Sequence, residues 1–305
     1  MTTPVAEQVV LAVDIGGTKV EAALVDGFAR VRGEVYRRPT GRTSDTTTLP
    51  HAIRDVATRA LDAAPPGVVV AAVGVGSAGP LDVATGTIHP VNMPAANGLD
   101  VVGLLRAIAL APVRLALDGQ CIALAESWVG ATREAKSSLA MVISTGIGGG
   151  LVVDGDVVAG GTGNAGHIGQ MLVTERSGQV RMLEELASGP GTVAFARELG
   201  WSGTTGEELA AAYANGDTAA VEAVTRSARV VGSAIASAAA LLDLDVVVIA
   251  GGFSKVTPHY VDDVAEAFRA VVPLPHLRGT RIVKSEIAVQ GPLIGAAALA
   301  LRSLR

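Results

Sequence analysis

A chain of 305 residues is long enough for one large or two ordinary domains, each with its own core. Hydrophobic residues make up 49% and charged ones 17%, with 37 glycines and few aromatics (two Trp, three Tyr, four Phe), which excludes disorder and fits an Ala/Val/Gly-rich α/β protein. The formal net charge is -5 and the 24 basic residues are scattered rather than gathered into a stripe, so nucleic acid is not an expected partner.

Residues 1–8 lack the basic start and apolar run of a signal peptide, so the protein is expected to stay in the cytoplasm. Residues 9–13 read as a short buried strand that runs into Asp14-Ile15-Gly16-Gly17-Thr18-Lys19 and then a second strand over 20–25. Helices are predicted over 47–63 and 98–111, with strands over 68–75 and 113–117 completing a first α/β unit. A helix over 119–130 follows, carrying Cys121, which has no cysteine partner and fits a reducing compartment as a small buried hydrophobe. The strand predicted over 139–143 feeds Ser144-Thr145-Gly146-Ile147-Gly148-Gly149-Gly150 and then a strand over 151–153. Helices are predicted over 184–199, 206–214, 219–242, 260–270 and 292–304, and a third buried strand over 246–250 ends in Gly251-Gly252. The longest apolar stretch, 230–242, is stopped by Asp243 and Asp245, too early to span a bilayer, so no membrane association is expected.

Glycine lets backbone N–H groups approach phosphate oxygens, and two opposed glycine loops make an anion cradle. In the first loop the glycines and the Thr18 hydroxyl would hold phosphate oxygens, while Asp14 would orient water around Mg²⁺. Neither loop matches GxxxxGK[ST] or GxGxxG, which argues against a Walker-type or dinucleotide site. The repeat places two α/β domains around a nucleotide cleft, 1–117 with 291–305 and 118–290.

Residues Asp14 to Lys19, Ser144 to Gly150 and Gly251-Gly252 together resemble the phosphate-1, phosphate-2 and adenosine segments of the ROK family of repressors and sugar kinases. Further signposts fit in order: Gly74-Val75-Gly76-Ser77-Ala78-Gly79-Pro80, Asn92-Met93-Pro94, Gly163-Asn164-Ala165-Gly166 and Glu184-Glu185-Leu186-Ala187-Ser188-Gly189. The resemblance implies an actin-like ATPase fold of the hexokinase or ribonuclease H type and an ATP-dependent kinase acting on a hydroxyl of a hexose such as glucose or a sugar-like polyol. It implies nucleotide contacts from Asp14, Gly16, Gly17, Thr18, Lys19, Thr145, Gly146, Gly148, Gly149, Gly251 and Gly252. It also implies a homo-oligomer of two or four chains.

Phosphoryl transfer to an alcohol needs a carboxylate to accept the hydroxyl proton. Asp118 matches the family's catalytic base and Glu126 the acid on the following helix; from local sequence alone Asp118 is equally a helix N-cap. Gly79, Asn92, Asp118, His167 and Glu184 fall on sugar-side positions. Two departures stand out. Leu117 replaces the family's Asn, and Gly166-His167-Ile168-Gly169-Gln170 replaces Gly-Glu-Ile-Gly-His, so His167 stands where a sugar-binding Glu is usual. An unpaired polar group in a dry site costs about 1–3 kcal/mol, so these changes favour a different hydroxyl pattern from strict glucose specificity. The family's zinc ligands, one His and three Cys, are here Gln170, Glu175, Ser177 and Met182, so no structural zinc is expected and packing is expected to hold that loop. Two rival classes remain at this point. A DNA-binding repressor needs a domain before the first phosphate loop, which already begins at Asp14, and a non-catalytic sugar-binding descendant would be expected to lose its phosphate loops, which are complete here.

Overall fold

The computed structural model describes residues 7–175, 178–287 and 290–304; residues 1–6 and Ser177 lie outside the described residues. In chain order the elements begin β1 (Glu7–Ile15), β2 (Lys19–Asp26), β3 (Val31–Pro39), α1 (Thr48–Asp62), β4 (Val68–Ser77), β5 (Leu81–Asp82), β6 (Thr87–Ile88), β7 (Leu99–Asp100), α2 (Val101–Ala109), β8 (Val113–Leu117) and α3 (Asp118–Val129). There follow β9 (Ser137–Ile143), β10 (Ile147–Val153), β11 (Asp156–Val157), β12 (Leu172–Thr174), β13 (Val180–Met182), α4 (Leu183–Ala187), α5 (Gly189–Glu198) and α6 (Gly206–Ala214). The chain ends with α7 (Thr218–Leu242), β14 (Val246–Ala250), α8 (Tyr260–Val271), β15 (Arg281–Lys284) and α9 (Gly291–Arg302). It divides into two compact units, one from Met1–Val129, Asp156–Ala165 and Ile287–Arg305, the other from Gly130–Gly155 and Gly166–Glu286.

The first unit is built on a mixed sheet in the order β3-β2-β1-β4-β8, antiparallel across β3, β2 and β1 and parallel from β1 through β8. Both faces of β1 are covered, so its sequence is a continuous apolar run rather than an alternating one. Side chains still alternate in direction. Val9, Leu11, Val13 and Ile15 join a core with Leu49, Ile53 and Val56 of α1 and Leu105 of α2. Val10 and Ala12 face the other way, onto Cys121 of α3 and Leu293, Ala296 and Ala297 of α9. That second layer is made of small residues and is thin: a Cβ on Gly295 would sit 1.6 Å from the carbonyl oxygen of Cys121.

In the second unit four strands run in the order β10-β9-β14-β15, with β9 and β10 an antiparallel hairpin and β14 parallel to both β9 and β15. Their core includes Leu139, Met141, Ile143, Val247 and Ile249 with Val231 and Ile235 of α7 and Val264 and Phe268 of α8. Helix α7 is started by Asp217, whose carboxylate accepts from Ala220 N at 2.9 Å. The two mixed sheets agree with the fold class expected from sequence.

Several local expectations change. Helix α3 belongs to the first unit, because it packs on α9, so the units part after Val129 rather than near Asp118. The helix expected over 184–199 is two, since Ser188 ends α4 and caps α5, its Oγ accepting from Gly191 N at 3.2 Å with Pro190 in the first turn. Strand β10 begins at Ile147 rather than 151, which places Gly148, Gly149 and Gly150 inside the sheet instead of the turn. Strand β3 is an addition; its run of Arg and Glu masked a mostly exposed edge strand.

Candidate active site

In the first unit, strand parity decides what Asp14 meets. It points the way of Val10 and Ala12, toward the layer that holds α3, and Glu21 opposite it on β2 does the same. The turn between them is closed by Gly16 N donating to Lys19 O at 2.9 Å. Thr40, which sequence reasoning missed, braces it by donating its hydroxyl to Gly16 O at 2.7 Å and its N–H to Thr18 O at 2.9 Å. The Thr18 side chain is exposed and the Lys19 ammonium pairs with Glu21, which Arg37 also approaches at 2.7 Å. Gly17 and Asn92 come together: a Cβ on Gly17 would lie 2.2 Å from Asn92 Nδ2, so only glycine leaves the amide its place.

Asp14 is buried, and its pKa is pushed up from 3.8 to about 7 by burial first, then by the carboxylates of Asp118 and Glu21, against the opposing pull of Lys19. Its Oδ1 has no hydrogen-bond partner among the described residues. A buried carboxylate oxygen left open and repelled by a second carboxylate suits a hard cation, and Mg²⁺ is commonly held by one or two carboxylates together with substrate phosphates.

Asp118 is the first residue of α3, half-buried, with Oδ1 accepting from Gly119 N at 2.7 Å. Leu117 before it and Glu126 further along α3 are buried. Gln120, unremarked in the sequence, ties this corner together: its Oε1 accepts from Leu117 N at 3.2 Å, and its Nε2 donates to Gly163 O at 3.1 Å and Ala165 O at 2.9 Å. Asn164 between them bonds the backbone of Leu81 in both directions at 2.8 Å. Gly79 is held nearby, its carbonyl accepting from Val91 N at 3.3 Å, while the preceding Ala78 N donates to Ile15 O at 3.0 Å.

In the second unit the turn is Ser144-Thr145-Gly146, closed by Ser144 N donating to Gly146 O at 2.9 Å. Glu184 on α4 reaches it: its Oε2 accepts from Ile147 N at 2.7 Å and occupies the space that a Cβ on Gly146 would approach to 2.6 Å. Gly251 bends the chain after β14 at φ +99°, lying so close to Ile143 that a Cβ would be 2.3 Å from its carbonyl oxygen. Ser144, Thr145, Gly189, Gly252, Phe253 and Lys255 border one cavity of about 700 Å³. Gly149 is instead a packing position, buried with its Cβ direction 2.6 Å from Ala140 O, and Gly148 is half-buried in the same strand. His167 is exposed at the start of a 3₁₀ turn over Ile168–Gln170, and Gln170 is exposed at its end.

Comparison with known proteins gives a consistent result. The model of the ROK family matches residues 10–303. N-acetylmannosamine kinase from Salmonella paratyphi A is 32% identical over 271 residues, covering 87% of this chain and 90% of the relative. Among solved structures, the ROK hexokinase from Thermus thermophilus aligns with a TM-score of 0.84 at 31% identity, covering 97% of this chain and 99% of that one. A ROK glucokinase from Streptomyces griseus, solved with glucose and AMPPNP, aligns with a TM-score of 0.75 at 25% identity, covering 96% and 99%.

Proposed function

The chain belongs to the ROK family and is an ATP-dependent sugar kinase, and on that premise we propose that it phosphorylates the primary hydroxyl of a hexose or hexosamine with Asp118 as general base. The observation that carries the proposal is the carboxylate at the β8–α3 junction, on the face of the first sheet where Asp14 is held.

The acceptor oxygen attacks the γ-phosphorus of ATP while its proton passes to the Asp118 carboxylate; the bond from the γ-phosphorus to the bridging oxygen breaks and ADP leaves with those electrons. With Gly16 closing the turn, Gly17, Thr18 and Lys19 offer N–H groups, a hydroxyl and an ammonium to phosphate oxygens, and Thr145 and Gly146 do so in the second unit. Gly252 borders the cavity assigned to adenosine, and Gly251 makes the turn that leads the chain to it. Asp14 is the residue that would hold Mg²⁺, which when bound shields phosphate charge. Asn92, Gly79, His167 and Glu184 are assigned to the acceptor, with the Asn92 amide lying against Gly17.

Leu117 is buried and offers no hydrogen bond from its side chain, and an imidazole at 167 replaces a carboxylate, so acceptors that do not depend on those two polar contacts are favoured. The similarity to an N-acetylmannosamine kinase supports a hexosamine among them. The protein is further assigned no structural zinc: the segment where the family's cysteines stand carries Glu175, ion-paired with Arg226. That ion pair holds Glu175 at the start of the segment. A cytoplasmic location, and a homo-oligomer of two or four chains measurable by analytical ultracentrifugation, complete the proposal; among the described residues no helix is long and apolar enough to cross a membrane.

The test is coupled ADP release with Mg-ATP against glucose, mannose, their N-acetylamino forms and cyclitols. Saturable turnover on a hexose or hexosamine supports the proposal; turnover confined to cyclitols refutes the acceptor assignment.

A further inference from the structure

Glu184 sits on a helix of five residues, too short to hold its own shape in water. Its position must come from outside. The last carbonyls of any helix lack partners within it, and the final two of α4 are taken by α7: Arg226 Nη1 donates to Leu186 O and Ser227 Oγ to Ala187 O, both at 3.2 Å.

Arg226 is itself held from several sides. Its side chain is 10% exposed, it is ion-paired with Glu175, and its guanidinium lies 4.0 Å from the centroid of the Phe195 ring. Glu175 follows β12, and its N–H donates to Gln179 O at 2.8 Å, joining it to the strand that leads straight into α4. The start of α4 is tied to the same segment, Leu183 N donating to Met171 O at 2.8 Å. Thus one guanidinium holds both Glu175 at the end of β12 and Leu186 near the end of α4, the helix that carries the carboxylate accepting from Ile147 N. A buried guanidinium stays charged, so without its counter-ion it would be left uncompensated beside the neighbouring Arg229 cation, and Glu175 is what lets it remain in place.

We infer that Arg226, with Glu175 as its counter-ion, is a positioning residue for Glu184 that sets the enzyme's affinity for its acceptor rather than the rate of phosphoryl transfer. The inference rests on the assignment of Glu184 to the acceptor.

The experiment compares Arg226→Met, Arg226→Lys, Glu175→Gln and Glu184→Gln with the unaltered protein, measuring KM for the acceptor, KM for ATP and kcat. Arg226→Met is expected to raise the acceptor KM about tenfold, the worth of roughly one hydrogen bond, with ATP KM and kcat nearly unchanged. Arg226→Lys, which keeps the charge and a donor, is expected to stay close to the unaltered protein. If Arg226→Met does not fold, Glu175→Gln carries the same expected pattern. An acceptor KM that rises in Glu184→Gln but not in the Arg226 and Glu175 variants overturns the positioning role. So does a fall in kcat with both KM values unmoved, which marks loss of folded protein. An acceptor KM unmoved in Glu184→Gln itself overturns the assignment of Glu184 and separates that failure from the first.

Discussion

The two glycine hairpins of this protein are built alike and supplied differently. Each joins antiparallel strands and is closed by one backbone bond of 2.9 Å, Gly16 N to Lys19 O in the first and Ser144 N to Gly146 O in the second. The β1–β2 hairpin brings its own charges, Asp14, Lys19 and Glu21, on the strands that form it. The β9–β10 hairpin has none within its turn and receives a carboxylate from Glu184, 37 residues beyond the N–H it accepts from. The first therefore stores an unfavourable ionisation at Asp14, whereas in the second the imported carboxylate is satisfied by backbone. A site that must receive a cation with its substrate gains from the former; a site that must hold a side chain still gains from the latter.

Among changes to the two hairpins, the largest expected effect comes from removing the first one's charge. Asp14→Asn should lower kcat by about 10²–10³-fold, as removal of a preorganised electrostatic partner does. The same change should stabilise the nucleotide-free protein at pH 8. Folding raises the Asp14 pKa from 3.8 to about 7, so its contribution is complete below pH 3.8 and is lost as pH rises through 7, a penalty on the order of 4 kcal/mol. Thermal melts should show the variant melting above the unaltered protein at pH 8 and level with it near pH 4. Added Mg-nucleotide should raise the melting temperature of the unaltered protein and narrow the gap at pH 8; an unchanged gap contradicts the cation assignment.

A smaller effect is expected at Gly17. Alanine there meets Asn92 at both Nδ2 and Cγ, 2.2 and 3.0 Å away, so the amide must leave its seat, and acceptor KM should rise about tenfold. Gly146→Ala is the matching change in the second hairpin and the smallest effect. Only the end of the Glu184 carboxylate stands in the way, so a rise of about threefold is expected. Equal effects in steady-state kinetics would erase the distinction drawn between the hairpins.

That distinction also governs what the sequence disclosed. The first hairpin was readable because strand, turn and charges occupy consecutive residues, and α6 was readable because Thr205 and Glu208 form a capping box at its start. The second was misread where glycine serves packing: Gly149 looks like a loop residue in sequence, yet it lies in β10 against Ala140. Ser188-Gly189-Pro190-Gly191 did carry a stop-and-restart signal for α4 and α5, hidden by the apolar residues on either side. Gln120, Thr40 and the Glu175–Arg226 pair left no local trace, because each acts on backbone or charge far along the chain. Long-range bracing of loops and short helices is therefore the part least visible from motifs.

The most direct test of the account is single-turnover phosphoryl transfer by Asp118→Asn beside the unaltered protein, at saturating sugar and Mg-ATP, with both affinities measured separately. The account predicts a fall of about 10²–10⁴-fold in transfer, the usual worth of a general base, with both affinities within about threefold. Transfer at near-unaltered rates would contradict the assignment of Asp118 as the base.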